Sequence, residues 1–152
     1  MKYGSYIIEK REYVYIKRLL NISGYDHTLA HKLALEKLKH KIEDAIIVEQ
    51  NEMPLEIIRI NSGVKIKCLR NSSVMPLQIV IPMDEDLNKQ KFSILSPLPV
   101  SLIGYSKGDI VNFRALSYEQ WPHAYLEQLQ YKKDKINILK LEINAEKVMK
   151  GL

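Results

Sequence analysis

Cys68 is the only cysteine in the chain. One thiol makes no internal disulfide and no cysteine-based zinc site. No stretch approaches the ~18 consecutive apolar residues that a membrane-spanning helix needs. Basic residues followed by an apolar run are missing at the N-terminus, so no secretory signal is expected. There is no glycine-rich loop of the phosphate-cradling kind and no Gly-x-Ser-x-Gly nucleophile motif. No internal repeat or low-complexity tract breaks the chain. These absences predict a soluble, cytoplasmic, monomeric protein with no membrane partner, no catalytic residues of its own, no metal and no cofactor.

What is present is a core-forming composition. The chain has 152 residues, of which 46% are hydrophobic and 27% charged, enough apolar matter for one domain with an appendage. Lys and Arg number 23 and Asp and Glu 18, a formal net charge of +5. A basic balance invites a nucleic-acid reading, which depends on how the charge is distributed. Residues 1–50 carry 9 basic and 7 acidic groups, residues 51–113 carry 7 and 6, and residues 114–152 carry 7 and 5. No segment holds a cationic block, so the charge reads as diffuse and any nucleic-acid contact as indirect.

Residues 3–8 are aromatic and β-branched, which suits extended backbone. Helical spacing starts near Glu9, with Tyr13, Ile16 and Leu20 three and four apart on one face. The helix should stop where Asn, Ser and Gly cluster between Asn21 and Gly24. A second helix should begin near Asp26 or Thr28, both good N-caps. Leu35, Leu38, Ile42 and Ala45 form its seam, widened by Leu29 and Leu33. It should end before Asn51 and Pro54, about 20 residues or roughly 30 Å long. Two helices with matched stripes and a short connection predict an antiparallel hairpin, a short coiled coil, over residues 1–52.

The texture changes at Met53-Pro54. Val64, Ile66 and Cys68 alternate with polar neighbours, Arg70 to Ser73 is a turn, and Leu77, Ile79 and Ile81 alternate again, which predicts a β-hairpin. Pro82 to Lys91 reads as a polar loop, Phe92 to Leu95 as a short strand and Pro97 to Gly104 as one or two helical turns. After a turn at Gly108-Asp109, Ile110 to Phe113 reads as a strand. In the extended tail from about residue 114, a short helix is expected near 118–131, a strand at Ile136 to Ile143, and frayed residues at the end. The whole is α+β, with mostly antiparallel strands in the second part, residues 53–152.

Few residues carry a chemical motif. His27 and His31 are four apart, yet zinc needs three or four ligands and only Asp26 is nearby. His40 and His123 carry no motif. Asp84-Glu85-Asp86 lacks the alternating pattern of a calcium loop and reads as a solvated turn. Cys68 falls on the inward face of its strand, where a thiol is inert. Tyr118, Trp121, Tyr125 and Tyr131 form an aromatic cluster that would either pack on its own domain or meet a partner.

Ser93 to Val111 reads Ser-Ile-Leu-Ser-Pro-Leu-Pro-Val-Ser-Leu-Ile-Gly-Tyr-Ser-Lys-Gly-Asp-Ile-Val. This run resembles the signature of the C-terminal domain of the GreA/GreB transcription elongation factors. Glu52-Met53-Pro54 and Arg59-Ile60-Asn61-Ser62, followed by Val64, resemble the corresponding junction of the Rnk-like subfamily, the regulators of nucleoside diphosphate kinase. The resemblance implies an N-terminal antiparallel coiled coil and an FKBP-like C-terminal domain. It implies RNA polymerase as partner, with the hairpin tip entering the secondary channel. Ser23, Gly24, Tyr25, Asp26 and His27 would form that tip. Ser96, Pro97, Leu98, Leu102, Gly104, Tyr105, Lys107, Gly108 and Asp109 would dock on the polymerase. Cleavage factors of this family carry paired acidic residues at the tip, whereas this tip has Asp26 alone. Together with a first helix of about 12 residues, that implies a Rnk-like regulator without transcript-cleavage activity. Pro99 and Ser101 replace the Gly and Ala of the family signature.

Overall fold

The structure is a computed structural model that describes residues 1–22, 29–69, 72–114 and 133–142. A short strand β1 (Ile7–Glu9) leads into helix α1 (Lys10–Ile22), followed by helix α2 (Leu29–Glu43) and strand β2 (Ile46–Val48). β1 and β2 pair in parallel, Ile7 opposite Ile46, and so tie the two ends of the helical segment together. Strands β3 (Gly63–Cys68), β4 (Val74–Val80) and β5 (Lys91–Ser93) follow, then helix α3 (Pro97–Leu102) and strands β6 (Ile110–Arg114) and β7 (Lys133–Glu142). They form a five-stranded sheet in the order β5-β4-β3-β7-β6. All its pairings are antiparallel except β4 with β5.

Most expected elements are present. The first helix starts next to Glu9, where helical spacing begins, and is described to Ile22, within the expected stop at Asn21 to Gly24. Its buried stripe is Glu12, Ile16 and Leu19; Ile16 is shared with the expected stripe, while Tyr13 and Leu20 flank it half-buried. The second helix has 15 residues rather than about 20, and Ala45 lies beyond its end. The β-branched run Ile46-Ile47-Val48 accounts for the difference: its stiff side chains favour extended backbone, and β1 offers it a partner. Leu33, expected to widen the seam, is 43% exposed; Leu38 and Ile42 are buried as expected, and Ala34 joins them on the buried face. Val80 is buried like Ile79 and does not face solvent. The polar loop contains two 3-10 turns, Pro82–Asp84 and Leu87–Lys89. The expected helix near 118–131, the tip residues Ser23 to His27, His123 and the Tyr118, Trp121, Tyr125 and Tyr131 cluster lie outside the described residues. The expected strand at 136–143 is β7, which begins earlier, at Lys133, and lies inside the sheet between β3 and β6.

One apolar cluster joins the two parts of the chain. Ile8, Ile16, Leu38 and Ile42 from the first 52 residues share it with Phe92, Leu98, Leu102 and Phe113. Burying such side chains stabilises each by about 1.5–3 kcal/mol relative to exposure, so the helical segment is held to the rest of the chain at these positions.

Candidate functional site

The signature run Ser93–Val111 is built around two turns. At the first, the Glu85 carboxylate accepts bonds from Ser93 N (2.9 Å) and Ser96 Oγ (3.1 Å), which fixes the entry to α3. The acidic run at 84–86 is thus partly a structural clasp rather than only a solvated turn. Pro97 occupies the first turn of α3, where its missing N–H costs nothing. At the second turn, Asp109 Oδ2 accepts from Ser106 N at 2.8 Å and Gly108 takes φ of 90°, a left-handed conformation that glycine adopts freely. Between them, Gly104 has φ of 88°, and a Cβ added there would lie 2.8 Å from Tyr6 Cδ1. That residue must be glycine on two counts.

Helix α2 clamps this run. Lys41 Nζ donates to the backbone oxygens of Val100 (2.7 Å), Ser101 (3.4 Å) and Ile103 (3.0 Å), carbonyls left open at the C-terminal end of α3. The same ammonium lies 5.1 Å from the Tyr105 ring centroid. Lys37 Nζ donates to Ser101 Oγ at 3.2 Å. Ser101, which departs from the family signature, therefore serves as a partner for α2. Burial, with Lys37 as a like-charged neighbour, pulls the Lys41 ammonium down to about 7.

A second buried link lies one layer away. Arg59 Nε donates to Glu12 Oε2 at 2.9 Å, with both side chains almost fully buried. Arg59 also donates to Gln50 Oε1 at 2.9 Å, and its backbone N–H donates to Ser62 Oγ at 2.7 Å. Among the described residues, Glu12 Oε1 has no hydrogen-bond partner. Burial pushes the Glu12 carboxyl up to about 7, against the pull of Arg59. Glu9 closes the start of α1, its Oε2 accepting from Arg11 N (3.0 Å) and Glu12 N (3.1 Å). No sequence signal marks Lys41 or Glu12, and Arg59 stands out only within the Arg59-Ile60-Asn61-Ser62 run and not for its pairing, because each is paired with a group far along the chain.

The candidate docking residues divide by burial. Ser96, Leu98, Leu102 and Gly104 are buried and shape the run from within, so they present no surface to a partner. Pro97, Tyr105 and Asp109 are half-buried, and Lys107 and Gly108 are exposed. Cys68 is buried, as expected of an inward strand position. His40 pairs with Glu43 at 3.6 Å. Among the described residues no three metal-ligating side chains come together, and no helix is long and apolar enough to cross a membrane.

Three comparisons bear on this geometry. Residues 50–120 match the family described as "Transcription elongation factor, GreA/GreB, C-term". The chain is 32% identical over 76 residues to the transcription elongation factor GreA of Clostridium botulinum (strain Alaska E43 / Type E3), covering 50% of this chain and 48% of that protein. It is 30% identical over 82 residues to the GreA of Metamycoplasma arthritidis, covering 53% of this chain and 52% of that protein. The chain thus spans about half the length of the curated relatives it matches. A solved structure titled "Prokaryotic transcription elongation factor GreA/GreB from Nitrosomonas europaea" has a similar fold, with a TM-score of 0.68 and 18% identity, covering 92% of this chain and 99% of that one.

Proposed function

We propose that this chain is a member of the GreA/GreB family and a transcription regulator that binds RNA polymerase near the secondary channel, with no catalysis of its own; the match of residues 50–120 to that family's C-terminal domain supports this reading. The observation that carries this reading is the family match over the docking run itself. In it, α1 and α2 are the arms of an antiparallel hairpin, residues 23–28 are its tip, and the sheet is an FKBP-like docking domain. Pro97, Tyr105, Lys107 and Asp109 form the accessible part of the docking surface, held in place by Lys41. The hairpin does not stimulate transcript cleavage, since Asp26 alone cannot replace a carboxylate pair that holds a hard cation and orients water. The Rnk-like subfamily fits this combination.

The test is capture of core RNA polymerase by the tagged chain, with a GreA-type cleavage factor as competitor. Binding at micromolar concentration that the competitor displaces is the expected result. No binding at that concentration overturns the reading. A second reading, an active cleavage factor acting on backtracked complexes, is favoured by the names of the curated relatives. It predicts accelerated RNA shortening in stalled complexes, which the first reading forbids.

A further inference from the structure

The small parallel sheet of β1 and β2 has an open side. Ile8 and Glu9 of β1 are buried, whereas Ile46 and Ile47 of β2 are 50% and 47% exposed and Val48 is half-buried. Among the described residues, no strand pairs with β2 on the side away from β1. A two-stranded ribbon is the least stable form of sheet, and a third strand adds to it readily.

Hydrogen bonding shows which groups the edge presents. Ile46 N–H donates to Tyr6 O at 2.8 Å. Along a strand, main-chain groups point alternately to one side and the other. Ile46 and Val48 therefore bond to β1, and Ile47 turns its N–H and C=O to the open edge. The next two N–H groups on that edge are already used. Ala45 N–H donates to Ile42 O at 3.3 Å, and Glu49 N–H donates to Glu52 Oε1 at 3.1 Å. Both ends of the edge are closed within the chain, and its middle is open.

Charge frames this edge. Residues 43–56 contain Glu43, Asp44, Glu49, Glu52 and Glu56 and no basic residue, in a chain whose net charge is +5. Glu43 and Asp44 stand just before the strand and Glu49 and Glu52 just after it, all four exposed. Glu43 lies 3.6 Å from His40 and Glu49 lies 4.0 Å from Lys10, pairs that sit largely in water. Such pairs contribute little and leave the carboxylates open to a stronger partner.

The charges select the occupant. A second copy paired antiparallel through Ile47 would set Ala45 of each copy against Glu49 of the other and draw both sets of carboxylates to one seam. Like charges so placed oppose pairing. A helix keeps its own main-chain groups bonded internally, whereas an extended segment offers groups that match those of Ile47. We propose that the open edge of β2 takes, as an added strand, an extended segment of another protein with aliphatic residues at its centre and lysine or arginine at its ends. Main-chain bonds to Ile47 align it, its aliphatic side chains cover Ile46 and Ile47, and its cationic ends meet Glu43, Asp44, Glu49 and Glu52. The edge is not part of the docking run around α3, and the proposal does not rest on polymerase binding.

The test is titration of the ¹⁵N-labelled full chain with the end-blocked peptide Lys-Lys-Val-Ile-Val-Lys-Lys. Saturable binding below about 1 mM is expected, with amide shifts centred on residues 45–49 and at least tenfold slower exchange of the Ile47 amide. E43K/D44K weakens binding at least tenfold, and E43Q/D44N weakens it in the same direction. E36K/D84K makes the same charge change at exposed positions elsewhere and leaves binding within twofold. Ile47→Pro removes the outward N–H, a change an edge strand tolerates, and abolishes binding. If that variant fails to fold, as judged by circular dichroism, the peptide N-methylated at its three aliphatic residues makes the same test and binds at least tenfold more weakly. No binding at about 1 mM overturns the proposal. Equal binding of the N-methylated peptide or of a glutamate-flanked peptide overturns it, as does an equal loss in E36K/D84K. A dimer in sedimentation that Ile47→Pro dissociates overturns it in favour of a second copy.

Discussion

Glu12 and Arg59 show how a single buried pair joins distant parts of this chain. The guanidinium and the carboxylate are both removed from water, and among the described residues one carboxylate oxygen has no hydrogen-bond partner. Burial makes the charged state costly, so the carboxyl is raised from 4.5 to about 7. Between those values the folded state holds more protons than the unfolded one, so stability falls as pH rises through the window. The drop amounts to roughly 3 kcal/mol at most. Urea titrations from pH 4.5 to 8 should show this decline, and Glu12→Gln should flatten it. Arg59→Ala leaves the carboxylate buried alone and should cost about 3–5 kcal/mol above pH 7, with a smaller loss near pH 5, where Glu12 is protonated. A loss independent of pH would mean that Arg59 acts through packing alone. The pairing was not legible in the sequence, even though Arg59 lies in a recognisable run, because a contact between residues 12 and 59 leaves no periodic trace. Gly104 was legible as part of a motif, yet its physical role rests on Tyr6, nearly a hundred residues earlier. Gly104→Ala meets both the left-handed φ and the Tyr6 ring, and should destabilise by about 2–4 kcal/mol in thermal unfolding. An unchanged midpoint would show that the Tyr6 side can relax.

At the scale of elements, period and punctuation were good guides and length was not. The alternation at 64–68 and 77–81 predicted β3 and β4, and Pro97 with Gly104 bracketed α3. The end of α2 was misplaced because Ala45 extends an apparent seam while Ile46-Ile47-Val48 answers to β1, a partner that no local pattern reveals. What holds α2 against α3 is also hidden: Lys41 reads as a surface lysine beside the seam, but its ammonium closes the end of α3. Lys41→Met keeps the stem and leaves three carbonyl contacts without their donor. It should lower stability by about 1–3 kcal/mol at neutral pH. The pH dependence is opposite in sign to that of Glu12. The folded-state value lies near 7, below the ordinary 10.5, so the unfolded state binds more protons between those limits and stability rises with pH across them. Lys41→Met should abolish that rise in denaturant titrations at pH 7 to 10. If the rise survives the substitution, another group is responsible. The same variant should weaken polymerase capture, because Tyr105 and the end of α3 lose their support.

For the whole molecule, charge counted by segments says little about the basic residues, whose excess is even along the chain. Strand pairing sets residues distant in sequence at one register position, Val64 opposite Leu141 among them, and such neighbours are visible only once register is known. The acidic side of the count bears on activity instead. Cleavage of backtracked RNA through a polymerase-bound cation requires the entering factor to supply carboxylates in a set geometry, and residues 21–28 contain Asp26 alone. A lone carboxylate in water neither holds a hard cation tightly nor orients the attacking water as a pair does. In stalled elongation complexes at saturating protein, RNA shortening should proceed at the intrinsic polymerase rate, and Asp26→Ala should change it by less than twofold. On the proposed binding near the secondary channel, the same protein should slow cleavage by an added GreA-type factor by competing for that site. If Asp26→Ala abolished a cleavage stimulation present in the unaltered chain, the tip would be catalytically competent. The single carboxylate would then be completed by a ligand from the polymerase or the transcript.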